Sequence, residues 1–170
     1  MALDSLNRQG KWDFVVLQET SRFASGLEPY SESSALSFCS AIKRVGARAV
    51  IVENYVDDDK QYDASHRLWA GMAQNQGASL LPVGKAWHIA RVKNPEIELF
   101  SKDGHHPSFK GTYLMSCVCY AYFLGKDPCV LPAGLRRLDE SGKIVNVFAN
   151  PAEARALQKA AAEAVRTGSK

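Results

Sequence analysis

The stretch SESSALSFCSAIKRVGARAVIVEN, residues 31–54, places a helix pattern directly before a strand pattern. Up to Gly46, apolar residues recur at spacings of three and four, which predicts a helix that ends at this glycine. The segment that follows, ARAVIVEN, is short, apolar and rich in β-branched residues, which predicts a buried strand. A helix that leads at once into a buried strand is typical of a βαβ unit.

The same alternation continues on both sides of this stretch. The pattern predicts further buried strands at 12–18 and 78–84, and further helices at 62–77, 85–92 and 106–125. Strands that alternate with helices of this length predict a parallel sheet covered on both faces, which is a three-layer α/β fold. Ligands bind such sheets at the carboxyl ends of the strands, so a functional site is expected along that edge.

Composition and charge exclude several classes of function. The chain has 21 basic and 18 acidic residues with no dense basic run, so a nucleic-acid partner is not expected. No apolar run approaches the roughly 18–20 residues that span a bilayer, and residues 1–12 lack the apolar core of a signal peptide. A cytoplasmic protein is therefore the default expectation, although a longer precursor would leave export open. The cysteines and histidines lack metal-site spacing, so neither a metal nor a cofactor is predicted.

The sequence divides into a main part, residues 1–128, and a C-terminal extension, residues 129–170. The extension contains a possible hairpin with Ser141-Gly142 at its turn. It ends in a predicted helix with Asn150 as N-cap and Pro151 as the first helical residue. Because its apolar stripe is thin, this helix is expected to pack loosely on the rest of the domain.

The segment SKDGHHPSFKGTYL, residues 101–114, carries the residues best suited to catalysis. In Asp103-x-x-His106 the carboxylate can orient the imidazole while the second ring nitrogen faces a substrate. That arrangement is what activation of a hydroxyl nucleophile requires. The spacing alone is equally compatible with an aspartate that caps the following helix and two histidines in a solvated turn.

The sequence KDGHHPSFKGTYL, with WDFVVLQETS and LLPVGKAW upstream, resembles the SGNH (GDSL-type) hydrolase superfamily. The resemblance is to a bacterial branch with an LQ-E-x-S block, and it covers about residues 11–128. It implies a flavodoxin-like α/β/α sandwich and hydrolysis of acyl or O-acetyl esters, including esters of carbohydrates. By that resemblance Asp103 is the triad acid and His106 the general base, whereas His105 has no implied role. Asn54 is implied as a candidate donor to the oxyanion, and Gln18, at the end of its predicted strand, is a second candidate.

The nucleophilic serine of such a site is not identified in the sequence. Ser5, in ALDSL, is rejected because no apolar strand precedes it, and residues 6–11 are too few for a crossover helix. Ser21 belongs to a different block and is also rejected. We therefore expect the chain to be N-terminally shortened and to lack the first strand of the fold. The two strands beside the missing one would then pair with each other or leave a groove between them.

Two functions remain open at this point. The first is an ester hydrolase acting on a small ester or an acetylated carbohydrate through a Ser-His-Asp mechanism, of which this chain shows the Asp-His half. The second is a relative without catalytic activity that binds a ligand or carbohydrate, or an inactive fragment. An apolar strand ending in Gly-x-Ser would distinguish them. The oligomeric state is not predicted.

Overall fold

The structure, a computed structural model, describes residues 11–18, 32–133, 135–138, 141–148 and 150–168. The chain forms two compact units, Met1–Leu81 and Pro82–Lys170, called the N-terminal and C-terminal units below. None of the helices in these described ranges is long and apolar enough to cross a membrane.

The N-terminal unit contains a parallel sheet whose strands are linked by helices. Its elements are β1 (Phe14–Leu17), α1 (Glu32–Arg44), β2 (Arg48–Val52), a short 3-10 turn (Asp59–Gln61), α2 (Tyr62–Gln76) and β3 (Ser79–Leu81). The strand order is β1-β2-β3, and Ile51 is paired with Leu17 on one side and with Leu80 on the other. The predicted α/β class is therefore confirmed, and the arrangement is consistent with a flavodoxin-like sandwich.

The strand β1 pairs directly with β2 along all four of its residues. Within the described residues, no groove separates these two strands. Direct pairing satisfies the backbone N–H and C=O groups along the shared edge, which a groove would leave without partners.

One face of this sheet is covered by the two helices that the structure describes in this unit. Ala49 and Ile51 point to the same face because side chains alternate along a strand. Ala49 packs with Cys39 and Ile42 of α1, and Ile51 packs with Trp69, Met72 and Ala73 of α2. The helix α1 is followed by Gly46 in the left-handed conformation, as the sequence predicted.

The described residues of the C-terminal unit form three helices and a hairpin, with a short 3-10 turn between them. Its elements are α3 (Val83–Lys93), α4 (Phe109–Leu124), a 3-10 turn (Pro128–Val130), β4 (Leu135–Leu138), β5 (Ile144–Phe148) and α5 (Pro151–Gly168). The strands β4 and β5 are antiparallel. The predicted strand 78–84 was too long, since β3 ends at Leu81 and α3 begins at Val83. Pro82 cannot donate a ladder hydrogen bond, so the strand ends before it.

The expectation that the last helix packs loosely was wrong. The helix α5 buries a stripe of small residues, and Leu157 within it is fully buried. Gln158 is 2% exposed, and its Nε2 donates to the Tyr113 hydroxyl at 2.7 Å and to the Leu131 carbonyl at 2.9 Å. Alanines let helix backbones approach closely, so a stripe that looks thin in the sequence still forms a tight contact. Asn150 is the N-cap, as predicted, and accepts from the backbone of Ala152 and Glu153.

Candidate functional site

The loop that carries Asp103 and His106 is closed by a short antiparallel contact. Phe100 and Pro107 form an isolated bridge, and the Ser101 N–H donates to the His106 carbonyl at 2.8 Å. Gly104 occupies the left-handed region, with φ of 70°, where a glycine avoids the steric cost of a side chain. The loop is thus a defined turn whose two ends are held together by backbone hydrogen bonds.

The helix α4 begins at Phe109, three residues later than the sequence pattern suggested. Ser108 is its N-cap, and its hydroxyl oxygen accepts from the Gly111 N–H at 3.2 Å. The same hydroxyl donates to the Glu98 carbonyl at 2.9 Å. Because Ser108 has this role, Asp103 does not cap the helix, and its carboxylate makes other contacts.

The Asp103 carboxylate organises the turn through both of its oxygens. Oδ1 accepts from the backbone N–H groups of His105 and His106, each at 2.9 Å. Oδ2 lies 2.7 Å from Nδ1 of His106. The structure therefore brings together the two residues that the sequence singled out, and it fixes the ring through one of its nitrogens.

These hydrogen bonds also set the charge of Asp103. The backbone N–H of His105, then the His106 imidazole, then the His106 N–H and the Ser101 hydroxyl lower the pKa of the carboxyl well below its ordinary value. An ionised carboxylate can only accept, so Nδ1 of His106 carries the hydrogen of the shared bond. In the neutral imidazole the second nitrogen, Nε2, then has the lone pair, and it lies on the opposite side of the ring. The His106 side chain is 75% exposed, so solvent and small molecules can reach its ring.

The other predicted site residues lie in the N-terminal unit. Gln18 follows the last residue of β1 and is exposed, whereas Asn54 lies two residues after β2 and is 4% exposed. Since β1 and β2 are parallel neighbours, both residues lie at the carboxyl edge of the sheet. Ser5 and Ser21 lie outside the described residues.

A second pair of a carboxylate and a histidine was missed by the sequence reasoning. His66 of α2 is not among the residues that the sequence singles out, but its Nδ1 lies 2.7 Å from Oε1 of Glu53. Glu53 directly follows β2 and is 1% exposed. No local spacing indicates this pair, because it joins a helix to a strand end. The one signal in the sequence was a glutamate that continues an apolar strand.

Tyr62 completes this second cluster. Its ring stacks on His66 with 5.6 Å between ring centroids. Burial, and secondarily the negative charges of Glu53 and Asp63, raise the pKa of the Tyr62 hydroxyl. Oε2 of Glu53 is buried and has no hydrogen-bond partner among the residues that the structure describes. The contact with His66 is consequently what compensates the cost of burying the Glu53 carboxylate.

We expect His66→Ala to lower the free energy of unfolding by about 2 kcal/mol, because it removes the partner of a buried carboxylate. The figure is below the full cost of breaking a buried pair because the His66 side chain is 33% exposed. Urea denaturation at neutral pH measures the change. Glu53→Gln retains a hydrogen-bonding side chain without the charge. It should therefore lower the free energy of unfolding by less than His66→Ala does. Equal stability of His66→Ala and the unmodified protein would contradict a compensating role.

Within the described ranges, no group of three or more His, Cys, Asp or Glu side chains is placed to hold a metal ion. No family model matches the chain, and no curated protein matches it.

The chain is similar in structure to a DUF4886 family protein from Bacteroides uniformis, known from a crystal structure at 1.50 Å resolution. The two superpose with a TM-score of 0.75 at 16% sequence identity. The match covers 99% of this chain and 68% of the other. At this level of identity the likeness establishes the shared α/β fold, and the fold alone carries no activity.

Proposed function

We propose that the protein is an ester hydrolase of the SGNH type in which His106 is the general base and Asp103 its orienting acid. The observation that carries the proposal is the 2.7 Å contact between Asp103 Oδ2 and His106 Nδ1 in a turn that the same carboxylate organises. In the neutral imidazole this contact leaves Nε2 as the unprotonated nitrogen of an exposed ring, which is what a general base needs. The motif in the sequence independently supports the same two residues.

The proposed reaction has two acyl-transfer steps. A serine hydroxyl attacks the ester carbonyl while His106 Nε2 takes its proton, and the imidazolium then donates that proton to the departing alcohol. Water attacks the acyl-serine by the same route, which releases the acid and restores the serine. Asp103 holds the ring and stabilises the imidazolium.

The two serines in or beside the turn do not fit the role of nucleophile. The Ser101 hydroxyl lies 2.8 Å from Asp103 Oδ1, so it contacts the acid and not Nε2 of the base. The Ser108 hydroxyl is engaged as the helix cap. We therefore place the nucleophile on another serine of the protein. The amide groups of Gln18 and Asn54 are the proposed side-chain donors to the oxyanion.

At low pH, the binding of a single proton, to the proposed base His106, should suffice to abolish hydrolysis. Because its pKa is lowered, Asp103 stays ionised throughout the range in which an imidazole titrates, roughly pH 5–8. Any stability that this carboxylate contributes is present above its unfolded pKa of about 3.9 and is lost only as pH falls through its lower folded value. A plot of log(kcat/KM) against pH should have an acid limb of slope one. A slope of two would show that the carboxylate titrates with the base.

The direct test is hydrolysis by the full-length protein, including any residues encoded upstream of Met1 in the same reading frame. The substrates are p-nitrophenyl esters and an O-acetylated oligosaccharide, with a p-nitrophenyl glycoside and a p-nitrophenyl phosphate as controls for other hydrolases. We expect turnover of esters alone. A folded protein that hydrolyses none of the esters would contradict the proposal, and binding of the oligosaccharide without turnover would favour the non-catalytic alternative.

A further inference from the structure

Ser101 begins the turn that carries Asp103 and His106, and it contacts both residues. Its N–H donates to the His106 carbonyl at 2.8 Å, and its own carbonyl accepts from the Gly104 N–H at 3.0 Å. Its hydroxyl oxygen lies 2.8 Å from Asp103 Oδ1 and 3.1 Å from the His106 carbonyl oxygen. The start of the turn is thus tied down by both the backbone and the side chain of one residue.

The Ser101 hydroxyl has a single hydrogen and two acceptors within reach. The carboxylate oxygen of Asp103 is the nearer of the two, and it is ionised. Hydrogen bonds to ionised acceptors are roughly twice as strong as those between neutral groups. The hydroxyl therefore donates to Asp103 Oδ1, while the His106 carbonyl keeps the Ser101 N–H as its donor.

This bond completes the set of donors that fixes one oxygen of the Asp103 carboxylate. Oδ1 also accepts from the N–H groups of His105 and His106, which follow Asp103 in the turn, whereas Ser101 precedes it. The last torsion angle of an aspartate side chain has broad minima, so a carboxylate rotates easily. Donors from both halves of the turn oppose that rotation, and Oδ2 consequently stays within 2.7 Å of His106 Nδ1.

We propose that Ser101 is a positioning residue of this site, whose hydroxyl holds the Asp103 carboxylate so that the His106 ring keeps its hydrogen on Nδ1 and presents Nε2 as the base. Ser101 acts through Asp103 and not on the reacting atoms. Its effect on rate rests on the proposed ester hydrolysis, whereas its effect on the imidazole does not. The alternative is that Ser101 only closes the turn, which its backbone bonds to His106 and Gly104 do without a hydroxyl.

The first test measures the His106 imidazole without any substrate. In a neutral imidazole, ¹⁵N NMR distinguishes a hydrogen on Nδ1 from one on Nε2, and the His106 signals are assigned by their absence in His106→Asn. Ser101→Ala should lower the share of the Nδ1–H form at a pH where the ring is neutral. Ser101→Thr retains a hydroxyl and should restore that share. Both backbone bonds of Ser101 remain in Ser101→Ala, so the turn should still form, and circular dichroism checks the fold.

The matched control is Ser116→Ala, which removes an exposed hydroxyl bonded to the Thr112 carbonyl within α4. It should leave the His106 signals unchanged. An unchanged share of the Nδ1–H form in folded Ser101→Ala, or a lowered share that Ser101→Thr does not restore, would overturn the positioning role.

The second test is kinetic and uses one p-nitrophenyl ester. Ser101→Ala should lower kcat by about tenfold, the loss expected for one hydrogen bond to a charged group. KM should be nearly unchanged because Ser101 acts through Asp103 and not on the substrate. In an Asp103→Asn background the same substitution should change kcat by less than about twofold, since the residue through which it acts is already altered. Equal falls in kcat in the two backgrounds would overturn the proposal.

The two measurements separate this inference from the proposed function. A changed share of the Nδ1–H form without any ester hydrolysis would support the positioning role and contradict the hydrolase. Hydrolysis in which Ser101→Ala changes neither kcat nor the Nδ1–H share would contradict the positioning role and leave the hydrolase standing.

Discussion

Replacement of His106 by Asn is expected to lower kcat for ester hydrolysis by about 10³-fold or more, with little change in stability. A positioned general base contributes roughly 10²–10⁴-fold, and in a triad its loss also leaves the serine without activation. The effect on folding should be small because the His106 side chain is 75% exposed. Its ring contacts in the turn are to Asp103 Oδ2 and, edge-on, to the His105 ring at 5.3 Å.

The matched control is His88→Gln, which removes an imidazole from α3 and not from the turn. It should retain the rate of the unmodified protein. Steady-state kinetics on one p-nitrophenyl ester measures both variants, with thermal denaturation to show that each is folded. If His106→Asn retained within threefold of the original kcat, the residue would not be the base.

Substitution of Gly111 by Ala is expected to produce the largest loss of stability. A Cβ at this position would overlap the Leu99 carbonyl oxygen and the Trp87 ring, whose Cζ2 atom would lie 2.9 Å away. The Leu99 carbonyl belongs to the backbone and Trp87 is 1% exposed, so neither neighbour can move easily. Overpacking of this kind costs typically 1–3 kcal/mol, and contact with rigid groups places Gly111→Ala at about 3 kcal/mol.

The comparison for Gly111→Ala is Gly71→Ala. Gly71 lies in α2, and a Cβ there would meet nothing within 4 Å. Alanine has the higher helix propensity, so this substitution should be neutral or stabilising by up to about 1 kcal/mol. Urea denaturation of both variants measures the difference. Equal stabilities for the two variants would contradict the tight approach at Gly111.

The Gly111→Ala substitution should also disturb the candidate site. The Leu99 carbonyl that it would displace accepts from the Ser108 N–H at 2.8 Å, and the Gly111 N–H is itself bonded to the Ser108 hydroxyl. Ser108 ends the turn that holds Asp103 and His106. A fall in hydrolysis in those molecules that remain folded is therefore expected.

Local periodicity was enough to predict most of the elements. The apolar runs around Val50 and Val16 correspond to adjacent parallel strands, and Gly46, Gly77 and Gly125 end helices in the left-handed conformation. The ends of helices and strands were predicted less accurately where a single residue decides them. Pro82 shortened β3, and Ser108 moved the start of α4, because each imposes its own backbone requirement.

Contacts between distant residues could not be predicted in the same way. The Asp103 and His106 pair lies within four residues, so its geometry follows from one turn and was accessible to the sequence. Glu53 and His66 meet through the packing of α2 on the sheet, and Gln158 meets Tyr113 through the packing of α5 on α4. Such pairs depend on how elements pack, and no local pattern encodes that.

The most direct test of the account is labelling with a fluorophosphonate probe, which forms an adduct with an activated serine. The chain of residues 1–170, together with any longer protein encoded in the same reading frame, would be labelled, and the adduct would be located by peptide mass spectrometry. The account predicts a stoichiometric adduct on one serine of the full-length protein, lost in His106→Asn and retained in His88→Gln. The 1–170 chain then shows whether that serine lies within it. A folded full-length protein that takes up no probe, or one whose labelling is unchanged by His106→Asn, would contradict the assignment of Asp103 and His106 as the acid and base of a serine hydrolase.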